Sequence, residues 1–332
     1  MGAYFYDNVA LHRRWLLSGG VRVERYGVKV HSQTTEGEAQ GPDGYDRNDT
    51  VVSGKAGLTF KPTDSGSIYA SVGFSALPPA SYLSNPDISR EGNNAFPGWS
   101  AGPNSATSKV QRATNYEFGA KWNVNNDRMT ATAAVFRTER SNIAMAGTVD
   151  GVSNTFAGYA KQVLQGVELG ITGSLTRAWS IFGGVLLMDS ERQHGPEVDA
   201  ARIGANPNDY GSATTTNGDD LAFTPNVSAN LWTTYQLPIG LTLGGGVRHL
   251  GDSYLGRPDN AERVIPNGRF GKLPGYTVLD LMAAYTVNRN FTLRFNMDNV
   301  ADSYYPVSSN WSGARVILGQ SRSFRISTDI NF

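Results

Sequence analysis

The histidines are the first residues to weigh as metal ligands or general bases. The chain has four, His12, His31, His194 and His249, and they are too scattered to match the spacing of a metal site. His249 could serve a serine hydrolase, but no nucleophile-elbow motif supplies the serine. The sequence therefore predicts no catalytic residue, no protein-bound metal and no enzyme.

Two other short motifs could bind ions. Ser53, Gly54 and Lys55 resemble the end of a phosphate-binding loop, but Asp49 occupies the place of the first required glycine, which excludes that motif. The stretch from Asn206 to Asp209 could bind Ca²⁺ weakly, with a solvated loop as the alternative. Neither motif predicts a site.

Composition narrows the possible classes of protein. The 332 residues have a net charge of zero, so no electrostatic footprint for nucleic acid is present. The sequence contains no cysteine, which suits an oxidising compartment. No apolar run approaches the length of about eighteen residues that a transmembrane helix needs. The first residues, Met1 to Asp7, do not form a signal peptide, so export would depend on a signal absent from this sequence.

The end of the chain alternates strictly between apolar and polar side chains. From Phe324 to Phe332, every second residue is apolar or threonine, while the residues between them are charged or polar. A two-residue period with one apolar face predicts a half-exposed strand. In an outer-membrane β-barrel that face would meet lipid, and a terminal Phe332 would lie in the aromatic girdle.

Similar alternation recurs along the whole sequence and predicts about thirteen strands. Most have ten or more residues, which is long for a soluble sheet but suits a tilted membrane crossing. In one of them, Val167, Leu169 and Ile171 should face outward and Glu168 inward. The fold class predicted is therefore all-β, an antiparallel transmembrane β-barrel.

The connections between these strands alternate in length. Six are short and rich in turn-forming residues, and six are predicted to be long, as extracellular loops are in outer-membrane barrels. The predicted long loops are His31–Thr50, Ala76–Arg112, Glu139–Ala160, Asp189–Leu221, Gly251–Gly271 and Ala301–Ser321.

Strand parity adds an expectation about domain organisation. A bacterial barrel that begins and ends on the periplasmic side needs an even number of strands. Thirteen strands, with the first (Gly2 to Leu11) and the last both running toward the short turns, do not meet that condition. Residues 1–332 are therefore expected to be the C-terminal portion of a larger barrel.

Several segments resemble TonB-dependent outer-membrane receptors of the ferric-siderophore type. The run from Asn296 to Tyr305, reading NMDNVADSYY, is similar to that family's penultimate-strand signature. Further similar segments, in the family's order and spacing, are Asn115–Trp122, Ala131–Asn142, Gln165–Leu169, Leu273–Asp280 and the terminal Phe332. Within the family, the arrangement most resembles receptors for catecholate siderophores.

The resemblance implies an outer-membrane location in a Gram-negative cell and energy-coupled uptake of ferric siderophores. Family members have 22 strands, a plug domain inside the barrel and a short box that contacts TonB. This sequence would supply about thirteen strands of such a parent, without the plug, the TonB box or the signal peptide. Iron would enter only as a ferric siderophore, with no resident cofactor, and the other partner would be outer-membrane lipid. A passive pore or surface-binding barrel without energy coupling is the alternative, and a soluble all-β module is a third interpretation.

An anionic, aromatic iron chelate would be recognised by arginine and aromatic side chains in the long loops. The candidate ligand-binding residues are Phe96, Trp99, Arg257, Arg263, Arg269, Phe270, Trp311 and Arg315. The alternative is that they form the interface belt or pack loop against loop.

Charges on the inward faces of the strands are interpreted as structural, because a wide barrel has a wet polar interior. They are Arg22, Glu24, Glu117, Lys121, Glu168, Arg248, Arg294 and Asp298.

Overall fold

A computed structural model of the chain describes residues 1–30, 45–77, 109–149, 152–196, 198, 218, 220–254, 272–309 and 315–330. Most of these residues lie in β-strands. No helix in these ranges is long and apolar enough to cross a membrane.

Thirteen of the seventeen strands form one sheet, and four short strands form two hairpins beside it. The strands are β1 Gly2–His12, β2 Trp15–Val30, β3 Tyr45–Thr63, β4 Gly66–Leu77, β5 Gln111–Val124, β6 Met129–Val149, β7 Val152–Ser174, β8 Trp179–His194, β9 Val227–Gln236, β10 Leu241–Leu250, β11 Ser253–Tyr254, β12 Lys272–Leu273, β13 Tyr276–Asn288, β14 Phe291–Asp298, β15 Pro306–Ser309, β16 Val316–Leu318 and β17 Ser323–Ile330.

The large sheet is antiparallel throughout and follows the chain order from β1 to β17, skipping only the two hairpins β11–β12 and β15–β16. Neighbouring strands pair residue by residue over most of their length, so the sheet confirms the predicted all-β fold with its thirteen strands. Within the described residues β1 and β17 are the two edges of the sheet. Within the same residues, β1 and β17 do not pair with each other.

The two faces of the sheet differ as predicted. One face carries exposed apolar side chains from every long strand, including Val167 at 37% and Leu169 at 48% exposure. Ile171 lies on the same face because it is two residues further along β7, and Glu168 lies on the opposite face. We call these the outer face and the inner face. No second apolar layer covers the outer face among the described residues, as is expected of a surface in contact with lipid.

Aromatic residues gather on the outer face near the short turns. Trp122 lies over Gly66, where an added Cβ would stand 2.2 Å from the indole ring. Trp15 and Phe60 contact each other with ring centroids 4.5 Å apart. These side chains form an aromatic belt of the kind found at a membrane interface.

The prediction of a long loop from Glu139 to Ala160 was wrong. β6 continues to Val149 and β7 begins at Val152, so the two strands form one long hairpin. Register shifts interrupt the pairing after Arg140 and twice more toward the tip. Each extra residue shifts the two-residue period by one position, which conceals it in the sequence.

Strands also extend into two other predicted loops. β3 begins at Tyr45, inside the predicted His31–Thr50 loop, and β8 continues to His194, inside Asp189–Leu221. Strand β11 lies near the start of the Gly251–Gly271 segment and β12 directly follows it, whereas β15 and β16 both lie within Ala301–Ser321. These connections all begin and end at one edge of the sheet. We call this edge the long-loop end.

Candidate ligand-recognition site at the long-loop end

The inner face carries a closely linked polar group on β4 and β5. The Tyr69 hydroxyl donates a hydrogen bond to Glu117 at 2.5 Å. The tyrosine ring lies over Gly119, where an added Cβ would stand 2.6 Å from the hydroxyl oxygen, so a larger residue there would have to displace the ring. Glu168 is close enough for its charge to act on Tyr69. Two carboxylates, those of Glu117 and Glu168, therefore lie on this part of the inner face.

Other inner-face charges form ion pairs along or across the strands. Arg22 pairs with Glu24 at 3.0 Å, and Arg294 pairs with Asp329 at 3.2 Å. Asp298 lies 3.5 Å from the guanidinium of Arg325. Pairs as exposed as these contribute at most about 1 kcal/mol each. The contacts support a structural interpretation of these predicted charges.

Asn299, at the end of β14, organises the start of the last long connection. It is 1% exposed and has a positive φ of 51°. Its side-chain amide donates hydrogen bonds to the carbonyls of Ser303 at 2.9 Å and Gln320 at 3.0 Å, and its amide oxygen accepts one from the Ser303 N–H at 3.0 Å. One buried side chain therefore joins the two ends of the connection that contains the β15–β16 hairpin.

Tyr305 packs the same hairpin against strand β13. Its ring is 5% exposed and lies 4.6 Å, centroid to centroid, from the ring of Tyr276 on β13. A Cβ added to Gly319 would stand 2.1 Å from the Tyr305 ring, and the Gly319 N–H donates to the Tyr305 carbonyl at 2.8 Å. The residue before β15, Tyr305, and the residue after β16, Gly319, therefore contact each other at the base of the hairpin.

Asp280 connects this arrangement to the inner face. One carboxylate oxygen accepts the backbone N–H of Asn299 at 2.9 Å, and the other lies 3.2 Å from Nε of Arg248. Tyr305 also lies close enough to Arg248 to interact with its guanidinium. We call Arg248, Asp280, Asn299 and Tyr305 the hairpin anchor. It couples the position of the hairpin to charged groups inside the barrel.

A second contact, which we call the Asp302 clamp, joins the two ends of the same connection. The Asp302 carboxylate accepts the backbone N–H of Arg322 at 2.9 Å and pairs with its guanidinium at 3.3 Å. The backbone hydrogen bond first, and then the guanidinium, lower the pKa of Asp302 below its ordinary value. The carboxylate is therefore charged under physiological conditions.

The base of the Gly251–Gly271 segment is held in a similar way. Lys272 donates a hydrogen bond to Asp252 at 3.1 Å, which raises the pKa of the lysine, and its ammonium lies 4.7 Å from the ring centroid of Tyr254. The Tyr254 carbonyl accepts the Phe223 N–H at 2.8 Å. Strand β12 contacts β15. The bases of three long connections therefore meet at one place.

Only one of the predicted ligand-binding residues lies in the described ranges. Arg315 is exposed and directly precedes β16, on the hairpin that Tyr305 and Asn299 hold. The other seven fall outside the described residues, so their proposed roles stay predictions. They are Phe96, Trp99, Arg257, Arg263, Arg269, Phe270 and Trp311.

Sequence reasoning missed the residues that position the hairpin. Asn299 and Tyr305 were noted only as parts of a family signature, although an asparagine at a strand end often marks a backbone with positive φ. Arg248 was predicted only as an inner-face charge and Asp280 only as the end of a family-like segment, and their mutual contact gave no signal because the two residues are distant in sequence. Among the described residues, no group of three or more His, Cys, Asp or Glu side chains is placed to hold a metal ion.

Comparison with known proteins defines the class. Residues 1–300 match the family described as TonB dependent receptor-like, beta-barrel. The chain therefore belongs to the TonB-dependent receptor β-barrel family, as its sequence motifs indicated.

Particular relatives narrow the comparison. The catecholate siderophore receptor Fiu of Escherichia coli K12 is 29% identical over 99% of this chain and 41% of its own length. The siderophore receptor PiuA of Acinetobacter baumannii is 31% identical over 91% of this chain and 36% of its own length. This chain thus spans about two-fifths of the length of these curated relatives.

Solved structures show the same likeness. The closed form of Fiu aligns with all of this chain and 44% of its own, with a TM-score of 0.77 and 26% identity. The copper transporter OprC aligns with all of this chain and 47% of its own, with a TM-score of 0.68, but at 21% identity it shows the shared fold alone.

Proposed function

We propose that this chain forms barrel wall in an outer-membrane receptor of a Gram-negative cell, and that the receptor imports a ferric siderophore with energy supplied through TonB. The chain's membership of the receptor family supports the proposal, as do its relatives Fiu and PiuA, which are named as siderophore receptors. Receptors of this family have a plug domain inside the barrel. In the receptor proposed here, the inner-face carboxylates Glu117 and Glu168 would face that domain.

The ligand class is an anionic, aromatic ferric chelate, with catecholate siderophores as the specific proposal. Arg315 is an exposed residue on a hairpin whose base is fixed by a buried tyrosine and a buried asparagine. A cation on a fixed support loses less conformational entropy on binding than one on a free loop. Arginine also stacks on aromatic rings and forms two parallel hydrogen bonds to anionic oxygens.

The test is binding of a ferric tris-catecholate to the protein, expressed from its own gene in an outer membrane that lacks other siderophore receptors. Arg315→Ala should weaken binding about tenfold or more, because a charge-assisted contact contributes about 1.5–3 kcal/mol. Arg315→Lys should restore part of the loss. The matched control is Arg294→Ala, an inner-face arginine paired with Asp329 near the short turns. Equal, small effects at both positions would show that the binding surface lies elsewhere.

Energy coupling is tested separately by following uptake of the same chelate by cells. Uptake should stop when the inner-membrane proton gradient is collapsed, while binding at the cell surface persists. Uptake that continues would favour the alternative of a passive pore.

A further inference from the structure

The short turns, at the edge of the sheet opposite the long-loop end, are rich in arginine. We call this edge the short-turn end. Its six turns contain five arginines, two aspartates and no lysine or glutamate, and they span residues 13–14, 64–65, 125–128, 175–178, 237–240 and 289–290. The whole sequence has no net charge, so this edge is more basic than the chain as a whole. All five arginines are exposed, namely Arg13, Arg14, Arg128, Arg177 and Arg289.

Four of the five arginines have no carboxylate in their own turn. The two aspartates are Asp64 and Asp127, and Asp127 lies beside Arg128, so the other three arginine-bearing positions (13–14, 177 and 289) are uncompensated locally. Among the described residues these four arginines form no ion pair. The inner-face arginines differ, because Arg22 and Arg294 pair with carboxylates. The turn arginines therefore keep their charge available to an anion outside the protein.

The arginine-bearing turns lead directly into the aromatic belt on the outer face. Trp15 follows Arg14 at the start of β2, and Trp179 begins β8 two residues after Arg177. Both indoles are partly exposed, and the Trp179 ring N–H donates to the hydroxyl of Thr233 at 2.7 Å. Aromatic belts lie at the level of the lipid headgroups. An arginine one or two residues beyond the belt therefore lies at the depth of the lipid phosphates.

The turns are too short to carry these arginines far from the membrane surface. The turns at 13–14 and 289–290 have two residues each. In the four-residue turn, the Thr176 hydroxyl accepts the N–H of Ala178 at 3.2 Å and that of Trp179 at 3.0 Å. A guanidinium held at this height can form two parallel hydrogen bonds to the oxygens of a phosphodiester.

We propose that the short-turn end binds anionic phospholipids in the membrane leaflet that it faces. The proposal rests on the membrane placement in the proposed function. Charge selects the headgroup, because phosphatidylglycerol has a net negative charge, whereas a zwitterionic lipid compensates its phosphate with its own cation. The acyl chains of the same lipid would lie against exposed apolar side chains further along the strands, such as Leu17 and Val185.

The experiment measures which lipids lie against the protein. The protein, expressed from its own gene, is reconstituted into phosphatidylcholine vesicles that contain a trace of spin-labelled phosphatidylglycerol or spin-labelled phosphatidylcholine. The motionally restricted fraction of each label gives its relative association. Phosphatidylglycerol should associate about fivefold more strongly, which corresponds to about 1 kcal/mol, the contribution of one cation near a membrane surface. The preference should vanish near 1 M salt, where screening acts beyond about 3 Å.

The variant is Arg14→Gln with Arg177→Gln and Arg289→Gln, which removes one cation from each of three turns and should lose most of the preference. The matched control is Arg22→Gln with Lys55→Gln and Lys121→Gln, which removes three exposed inner-face cations and should retain it. Equal association of the two lipids in the unmodified protein would overturn the proposal without any variant. A preference that survives in the variant, or that falls equally in the control, would overturn it too.

Failure of this proposal is distinguishable from failure of the proposed function. A vesicle sample with no motionally restricted lipid of either kind would overturn the membrane placement, and both proposals with it. A protein that selects phosphatidylglycerol but does not bind a ferric tris-catecholate would overturn the proposed ligand and confirm the lipid contact.

Discussion

The Asp280 carboxylate accepts the backbone N–H of Asn299 at 2.9 Å while its other oxygen lies 3.2 Å from Arg248. A single side chain on β13 thus links the inner face of the barrel to the start of the last long connection. Tyr305, which packs the same hairpin, also lies close to Arg248. This hairpin anchor makes specific predictions about the segments that it holds.

Asn299→Ala should loosen the hairpin without unfolding the sheet. The substitution removes two hydrogen-bond donors and one acceptor, and places a residue with a Cβ but no polar group at a φ of 51°. Opening of the hairpin should become easier by about 1–3 kcal/mol. Faster amide hydrogen exchange in 301–309 and 315–321 would show this. Asn296→Ala, on the same strand, is the matched control, and an identical exchange pattern in both variants would contradict the anchoring role.

Gly319→Ala should displace Tyr305 from Tyr276. The new Cβ would overlap the Tyr305 ring at 2.1 Å, so the ring or the backbone must move. We expect a loss of about 1–3 kcal/mol in hairpin stability, as for other overpacked sites. Gly73→Ala is the control, because the nearest atoms to its added Cβ are 3.9 Å away. Limited proteolysis at the hairpin should distinguish the two variants, and equal resistance would show that the tyrosine contact is dispensable.

The Asp302 clamp should depend on pH at the acid end only. Because Arg322 lowers the pKa of Asp302 in the folded protein, the clamp is fully present above the ordinary carboxyl value of 3.8 and is lost as pH falls through the lowered value. Cleavage of the connection by pepsin should therefore accelerate below about pH 4 beyond the effect of pH on the protease itself. Asp302→Asn should be cleaved readily throughout this range. An unmodified protein with no such acceleration would exclude the clamp as a stabilising element.

Leu169→Arg should impair insertion into the membrane. Leu169 is 48% exposed on the outer face, and an arginine facing lipid near the bilayer midplane costs about 2–4 kcal/mol. Glu168→Arg introduces the same residue one position earlier, on the inner face, and should cost less than about 1 kcal/mol. The free energy of unfolding in lipid vesicles measures both. Equal costs would mean that the two faces have been assigned incorrectly.

The two-residue period predicted the sheet well because its cause is local. Val167, Glu168 and Leu169 alternate as sequence neighbours, and their faces follow from backbone geometry alone. Bulges break this relation, so the upper part of β6 and β7 was mistaken for a loop. Asn142, with a φ of 60°, lies at the first of these irregularities.

The hairpin anchor could not be predicted, for a different reason. Arg248, Asp280 and Asn299 meet only when β10, β13 and β14 are in register, and no residue pattern within one strand specifies which partners will lie opposite. Arg315 was predicted as a ligand contact from its residue type, and the hairpin gives it a defined position. That position is compatible with ligand binding, which remains a prediction.

The β6–β7 hairpin has a mechanical consequence for the mouth of the barrel. Its strands have 21 and 23 residues, whereas about 9–11 residues suffice to cross a bilayer, so roughly half of the hairpin stands clear of the membrane. Two strands joined by a hydrogen-bonded ladder bend far less than a single connecting segment. The part of the β6–β7 hairpin beyond the membrane therefore forms a stiff projection beside the mouth of the barrel. Large molecules that approach along the membrane plane would meet this projection first.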